Sequence, residues 1–270
     1  MIAMLRTQKK NKLILNEEGR DAMRRAGRVN ARLMDHLREK IVAGITTNQI
    51  DEEVVRWTND HGHTAATLGY GNFPRSCCTS VNEVICHGIP GDQVLREGDI
   101  INVDITTVVE GWHGDQSETF IIGQTDEVRR AVTQAAFDCM WIGIEALSPG
   151  CRVAAIGEAI VPEAASRGFT VVREYVGHGL GRSFHLDPSI PHHPNRQARI
   201  DRLHPGMCFT VEPMINAGTR YTKLDKSDGW TVRTKDGKPS AQFEHSVLMT
   251  EDGPEILTLT EHGPRRGHRF

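Results

Sequence analysis

The sequence has no CxxC pair, no long apolar run and no strong excess of charge of one sign. Without such cysteine spacing, neither a thiolate zinc site nor a disulfide framework is expected. Reduced cysteines are typical of the cytoplasm, which is the predicted compartment. Residues 1–15 lack the apolar core of a signal peptide, and no later stretch could span a membrane. The six cysteines are Cys77, Cys78, Cys86, Cys139, Cys151 and Cys208.

The charge balance and composition indicate a globular protein. Formal net charge is -3 over 270 residues, with 38% hydrophobic and 25% charged residues, as in soluble globular chains. We therefore expect neither DNA nor a membrane as a partner. A short basic run before the first predicted helix indicates a flexible segment over residues 1–12. Since no linker interrupts the rest, we predict one domain over 13–262 and a C-terminal tail over 263–270.

Five residues of metal-ligand type lie in predicted strands or at glycine-rich strand ends. A carboxylate in an apolar strand is costly to bury alone, because burial disfavours its charged form. Taken singly, each acid is also consistent with a polar strand face turned to water. Taken together, four carboxylates and one imidazole predict a site for hard or borderline cations. The five are Asp104, Asp115, His178, Glu212 and Glu244.

The first two carboxylates are predicted to share one face of a hairpin. Glu110 and Gly111 form a two-residue hairpin signal between two apolar runs. This loop places Thr106 opposite Asp115. Because side chains alternate along a strand, Asp104 then points to the same face as Asp115.

The two halves of the sequence repeat a plan of helix, helix, strands. Asn16 is predicted to cap the first helix, and Thr46 with Gln49 forms a capping box for the second. In the second half, Thr125 is predicted to cap a third helix, and a fourth runs over about 152–167. Matched positions 106 residues apart are Gly44 and Gly150, Ile50 and Ile156, Glu52 and Glu158, Val54 and Ile160, Val55 and Val161, and Gly62 and Gly168.

This repeat predicts an α+β fold in which two related halves pack their strands into a sheet covered by helices. Asp104 and Asp115 come from the first half, and the other three candidate ligands come from the second. The site is therefore expected in the seam between the halves, where pockets commonly form.

Six segments closely resemble those of type I methionine aminopeptidases. The resemblance covers about residues 13–259 and implies the pita-bread fold, whose two pseudo-symmetric halves share a curved antiparallel sheet. It implies a metal-dependent hydrolase that removes the initiator methionine from nascent proteins when the next residue is small. The segments are SVNEVICHGIP at 80–90, DIINVD at 99–104, WHGDQSETF at 112–120, EYVGHGLGRSFH at 174–185, PGMCFTVEP at 205–213 and DGWTVRTKDGKPSAQFEH at 228–245.

The resemblance also implies a centre of two divalent cations, which could be cobalt, manganese, iron(II) or zinc. Asp115 and Glu244 would bridge the two metals. Asp104 would hold one metal, while His178 and Glu212 would hold the other. Water or hydroxide bound to both metals would attack the scissile carbonyl, since metal ions lower the pKa of bound water to about 7. Glu212 would shuttle its proton.

Two further histidines match the family's catalytic residues that are not ligands. His185 would stabilise the tetrahedral oxyanion, and His87 would contact the scissile amide. The implied substrate pocket is Tyr70, Phe73, Cys78, His87, Phe184, His185 and Trp230, and the implied site for a sodium or potassium ion is Asn82, Val84 and Ser240. Expected partners are methionine-starting peptides of nascent chains, with transient ribosome contact by a monomeric enzyme.

The sequence departs from the family pattern at two places, and two alternatives stay open. Gly71-Asn72 stands where His-Gly is usual, and Leu186-Asp187 stands where two glutamates are common. Prolidases and aminopeptidases P, which act on Xaa-Pro peptides, use the same five ligands. Non-catalytic pita-bread binding proteins lose ligands, whereas this chain keeps all five.

Overall fold

The computed structural model describes residues 13–270, and helices and short antiparallel strands alternate along them. The predicted segment 1–12 lies outside the described residues. The helices are α1 (Glu17–Arg38), α2 (Thr47–Asp60), α3 (Glu127–Glu145) and α4 (Ala154–Ser166). The strands are β1 (Thr64–Ala65), β2 (Cys78–Val81), β3 (Val84–Cys86), β4 (Ile100–Val109), β5 (Trp112–Ile121), β6 (Thr170–Val171), β7 (Gly177–Gly179), β8 (Leu186–Ile190), β9 (Cys208–Val211), β10 (Met214–Asn216), β11 (Thr222–Leu224), β12 (Val232–Thr234), β13 (Ser240–Gln242), β14 (His245–Met249) and β15 (Pro254–Ile256). Within residues 13–270, no helix is both long and apolar enough to cross a membrane.

The first two helices begin where the sequence predicts. The side-chain oxygen of Asn16 accepts the backbone N–H of Gly19 at 3.0 Å. Thr46 and Gln49 form both hydrogen bonds of the capping box at the start of α2. These bonds satisfy backbone N–H groups that have no partner within the helix, so they fix its first residue.

The predicted cap of the third helix was wrong by one residue. Asp126 caps α3, because its carboxylate accepts the N–H of Arg129 at 2.8 Å. The hydroxyl of Thr125 instead donates to the carbonyl of Gly98 at 2.6 Å. Both residue types cap helices well, so this tertiary contact decides between the two neighbours.

The described strands pair into four antiparallel sheets. In the first sheet, β5 pairs with one edge of β4. Strands β2 and β1 both pair directly with the other edge of β4, at different positions along it. A five-stranded sheet has the order β15-β14-β9-β7-β8, and two three-stranded sheets have the orders β13-β10-β6 and β11-β12-β3. This arrangement confirms the predicted α+β class.

The internal repeat is visible in the backbone. Strands β1 and β6 begin at Thr64 and Thr170, which keep the separation of 106 residues. Thr46 and Arg152, with the same separation, each form an isolated antiparallel bridge just before a repeated helix. The matched Ile50 and Ile156 are both fully buried. The two halves therefore share a structural plan beyond the residues first matched.

Each half buries its own apolar core under its helices. In the first half, α1 packs Leu33, Met34 and Leu37 against β4 and β5. In the second half, α3 packs Phe137 and Met140 against β10 and β13. Full burial of such a side chain stabilises the fold by about 1.5–3 kcal/mol. The strands between the helices are thereby held firmly enough to position polar side chains.

Hydrogen bonds across the seam join β5 to the segment around β14. The N–H of Glu244 donates to the carbonyl of Ser117 at 2.9 Å. The hydroxyl of Ser246 donates to the carbonyl of Asp115 at 2.6 Å. Two candidate ligands from different halves, Asp115 and Glu244, are therefore brought side by side by hydrogen bonds to the main-chain carbonyls of β5.

Residues 263–270 lie against α3. Arg266 pairs with Glu145 at 2.7 Å, and the ring of Phe270 lies 5.4 Å from that of Phe137. The domain boundary at residue 262 stays a prediction.

Candidate active site

The hairpin geometry predicted for the first pair of carboxylates is confirmed. Glu110 and Gly111 both have positive φ angles, 52° and 79°, as a tight two-residue hairpin loop requires. Thr106 lies opposite Asp115 in the β4–β5 register, and its hydroxyl donates to Asp115 Oδ1 at 2.8 Å. Asp104 is two residues from Thr106, and it lines the same cavity as Asp115.

All five candidate ligands line a cavity of about 320 Å³ between the halves. Ligand atoms of Asp115, His178 and Glu244 lie within 4.8 Å of one another. The Nε2 atom of His178 is 3.6 Å from Asp115 Oδ2 and 3.8 Å from Glu212 Oε1. Ligand atoms about 2.0–2.2 Å from a shared cation can be at most about 4.4 Å apart, so both distances suit a common ion.

The electrostatics of the cluster favour bound positive charge. Burial raises the pKa of Asp104 to about 7 and that of Glu212 to about 8. Burial and the neighbouring carboxylates raise the pKa values of Asp115 and Glu244 well above their usual range. Burial lowers the pKa of His178 to about 3, so its imidazole is neutral and able to bind a metal. The donor set and its charge therefore fit divalent cations.

Neighbouring polar side chains orient these candidate ligands. The hydroxyl of Thr210 donates to Glu212 Oε1 at 2.6 Å and accepts the backbone N–H of His178 at 3.1 Å. The amide of Gln242 donates to Glu212 Oε2 at 3.1 Å. Both oxygens of Glu212 are thus held in place, and groups that orient ligands in this way tune metal affinity.

His87 and His185 face the same cavity. Burial, and to a lesser extent His185, lowers the pKa of His87 to about 4, which leaves a neutral imidazole. His87 has a left-handed backbone with φ 56°, a conformation that non-glycine residues adopt rarely and often at functional sites. A Cβ on the following Gly88 would lie 2.1 Å from the carbonyl oxygen of Thr79. This close approach explains the glycine of the CHG motif.

The predicted substrate pocket forms one wall of the cavity. Phe73 and Trp230 pack edge to face, with ring centroids 5.2 Å apart, and Tyr70 and Phe184 do so at 5.0 Å. Cys78 pairs with Asp104 in the β2–β4 register, which places a thiol beside the carboxylates. All seven residues predicted for the pocket line the cavity, namely Tyr70, Phe73, Cys78, His87, Phe184, His185 and Trp230.

Sequence reasoning missed other residues that line the cavity, namely Thr67, Glu174, Tyr175, Val176 and Met214. Met214 follows Glu212 by two residues in the segment CFTVEPMI, so this short separation was the available signal. His192 was missed as a support, although its Nε2 accepts the backbone N–H of Glu212 at 2.9 Å. No sequence pattern connects His192 with the candidate ligand Glu212, which lies 20 residues later.

The residues predicted for a monovalent cation are not among those that line the cavity. The backbone N–H of Ser240 donates to the carbonyl of Asn82 at 2.9 Å. The side chain of Asn82 also bonds Asp99 and Arg129, at 2.8 and 3.0 Å. Val84 lies two residues further along, in β3. Their role in binding a cation stays a prediction.

The two departures from the family pattern occupy different elements. Gly71 and Asn72 form part of the 3-10 turn Tyr70–Asn72, and both have positive φ angles. Leu186 pairs with Gly179 in the β7–β8 register, beside the strand that carries His178.

Comparisons with known proteins agree on one family. The model of metallopeptidase family M24 matches residues 21–251. Methionine aminopeptidase A of Synechocystis sp. is 50% identical over 249 residues, covering 92% of this chain and 98% of that protein. The Escherichia coli K12 methionine aminopeptidase is 40% identical over 248 residues, covering 91% and 93%. The crystal structure of the Rickettsia prowazekii enzyme has a TM-score of 0.88 at 43% identity, covering 91% and 99%. The prolidase from Pyrococcus furiosus, at 19% identity and a TM-score of 0.74, shares the fold.

Proposed function

Because the chain belongs to metallopeptidase family M24, and within it to the methionine aminopeptidases of pita-bread fold, we propose that it removes N-terminal methionine from new proteins whose second residue is small. The observation that carries the proposal is the joint position of five ligands and an aromatic wall on one cavity. The ligands supply a place for cations, and the wall supplies a place for an apolar side chain.

In this proposal, divalent cations would be held by five residues, namely Asp104, Asp115, His178, Glu212 and Glu244. The chemistry that such cations supply is Lewis acidity towards the scissile carbonyl and a lowered pKa for water. Manganese, iron(II), cobalt and zinc all suit this oxygen-rich set with one imidazole.

Three side chains handle protons and charge during the reaction. Glu212 carries the proton of the attacking water to the leaving amine, and Thr210 and Gln242 fix its orientation. His185 donates a hydrogen bond to the oxyanion that develops on the scissile carbonyl. His87, which is neutral at working pH because burial lowers the pKa of its imidazole to about 4, hydrogen-bonds the scissile amide.

The aromatic wall selects the N-terminal side chain. Phe73, Trp230 and Met214, together with the thiol of Cys78, give the cavity an apolar and polarisable surface. Aromatic rings and sulfur atoms make favourable contacts with a thioether. Methionine therefore matches this surface better than a charged or small side chain does.

The proposal extends to the setting of the enzyme. All six cysteines are free, which supports a reducing cytoplasm. The proposal includes a sodium or potassium ion bound by Asn82, Val84 and Ser240. It also includes transient contact with the ribosome and a monomeric state.

Neither rival activity is favoured by a specific observation. The prolidases and Xaa-Pro peptidases among the structural relatives are 17–19% identical to this chain, which indicates a shared fold. A non-catalytic binding protein would not need five converging ligands.

Peptide hydrolysis tests the proposal. The protein is stripped with a chelator, reloaded separately with Mn²⁺, Fe²⁺, Co²⁺ or Zn²⁺, and assayed on Met-Ala-Ser, Met-Lys-Ser and Ala-Pro-Ser. We expect hydrolysis of Met-Ala-Ser with at least one metal, almost none of Met-Lys-Ser, and none after chelation. Equal kcat/KM for the two methionine peptides would contradict the requirement for a small second residue. Preferential hydrolysis of Ala-Pro-Ser would favour an Xaa-Pro peptidase instead.

A further inference from the structure

Gly71 lies in the turn that carries Tyr70 to the rim of the cavity. Its backbone is left-handed, with φ 52° and ψ 28°. The residue itself is exposed, so core packing gives no reason for a missing side chain. The position is also one where the chain departs from the sequence pattern of the family.

The space beside Gly71 is filled by Trp230. A Cβ atom on Gly71 would lie 3.2 Å from Cη2 and 3.4 Å from Cζ2 of the indole. Carbon atoms in ordinary van der Waals contact are about 3.5–4.0 Å apart. Any side chain at position 71 would therefore displace the six-membered ring of Trp230 by a few tenths of an ångström.

Trp230 has little freedom to move elsewhere. Its backbone N–H donates to Asp228 Oδ1 at 2.8 Å, which fixes the loop. Its ring packs edge to face on Phe73 at 5.2 Å and on His87 at 5.9 Å. A displacement of the indole is thus passed to two other residues of the cavity wall.

We propose that Gly71 is a specificity-determining residue, because its missing side chain lets Trp230 keep its place in the aromatic wall of the substrate cavity. The inference rests on the proposed function, since it takes this wall to receive the N-terminal side chain. Gly71 sets the position of the aromatic wall, and the wall sets the length and width of the side chain that fits.

Gly69 provides a matched control in the same turn. It too has a positive φ angle, 81°, but no atom lies within 4 Å of where its Cβ would be. Gly69→Ala therefore carries at least as much backbone strain without touching Trp230, because its φ of 81° and ψ of -6° lie further from the left-handed region that other residues occupy. Gly71→Asn is a second test variant, since Asn tolerates left-handed backbone better than Ala and its side chain is larger.

The experiment measures kcat and KM for Met-Ala-Ser and for the same peptide starting with norleucine or norvaline. One methylene in an apolar pocket changes kcat/KM about 10–200-fold, and the displacement here is smaller than a methylene. We expect Gly71→Ala and Gly71→Asn to raise KM for Met-Ala-Ser about three- to tenfold and to alter the preference among the three peptides, with kcat within about twofold. Gly69→Ala should keep the wild-type preference even if its melting temperature falls equally.

A double-mutant comparison tests the route through Trp230. In a Trp230→Ala background the indole is absent, so adding Gly71→Ala should cause no further change in KM. The inference would be overturned if both Gly71 variants kept the wild-type KM and peptide preference. It would also be overturned if Gly71→Ala had its full effect on KM in the Trp230→Ala background. Either result would leave the proposed function standing. A wild-type protein that does not cleave Met-Ala-Ser would overturn the proposed function and this inference with it.

Discussion

Replacing Asp104 by asparagine should change the stability of the metal-free protein in a strongly pH-dependent way. Burial raises the pKa of Asp104 from an ordinary value of 3.8 to about 7. Between these values the folded protein keeps a proton that the unfolded chain has released. The stability associated with this proton is complete below pH 4 and is lost as the pH rises through about 7.

The size of this loss follows from the two pKa values. A tenfold change in proton affinity corresponds to about 1.36 kcal/mol, so the difference between 3.8 and about 7 corresponds to roughly 4 kcal/mol. The amide that replaces the carboxyl group cannot ionise, so the variant escapes this loss. In a chelator, the free energy of unfolding of Asp104→Asn minus that of the wild type should therefore rise by roughly 4 kcal/mol between about pH 4 and about pH 8.

Divalent cations should reverse the comparison. A ligand that binds only the folded state stabilises it by mass action, and the variant lacks one of the five proposed metal ligands. At about pH 8 with excess Mn²⁺, the wild type should therefore be the more stable protein. Urea unfolding followed by circular dichroism, with chelator or Mn²⁺ at pH 4 to 8, measures all of these free energies.

A carboxylate buried outside the cavity provides the control. Asp51 accepts the backbone N–H of Ser76 at 2.7 Å. Asp51→Asn should destabilise the protein, and the loss should be the same with chelator and with Mn²⁺. The reasoning on Asp104 fails if the difference between Asp104→Asn and wild type is constant from pH 4 to 8 in chelator, or if Mn²⁺ does not reverse its sign.

Further predictions separate chemistry, pocket and metal binding. His87→Ala should keep the metal content but lower kcat about 10²–10⁴-fold, or ~3–5 kcal/mol of barrier; loss of metal would make His87 a ligand, and an unchanged kcat would exclude a catalytic role. Trp230→Ala should mainly raise KM, because it enlarges the pocket; a fall in kcat alone would contradict this. Thr210→Val should weaken metal binding about 10–100-fold by titration calorimetry, because Glu212 loses an orienting donor. The control is Thr133→Val, because the buried hydroxyl of Thr133 has no hydrogen-bond partner among the described residues. Equal metal affinities in the two variants would refute the role of Thr210.

Local patterns in the sequence predicted the local structure well. The two-residue loop at Glu110 and Gly111 determined the register of β4 and β5, and with it the shared face of Asp104 and Asp115. Alternation of side chains along a strand depends on backbone geometry alone, so this prediction needed no knowledge of the rest of the fold. The caps at Asn16 and Thr46 were predictable for the same reason.

Predictions failed or stopped where distant segments compete for the same group. Thr125 and Asp126 are both suitable helix caps, and only the contact with Gly98 shows which of them caps α3. The hydrogen bond from the Glu212 N–H to His192 likewise joins positions that no sequence pattern relates.

The sequence by itself determined the types of residue available for the site: four acids and a histidine in strand-like segments, a hairpin, and a repeated helical plan. Only the tertiary structure decided that these residues face one cavity, that Thr210 contacts both His178 and Glu212, and that Trp230 fills the space beside Gly71. The physical reason is the distance along the chain over which each kind of interaction acts. Backbone torsion and side-chain alternation act between near neighbours and can be inferred from short segments. Cavity walls and shared hydrogen-bond partners arise from close packing of segments far apart in the chain.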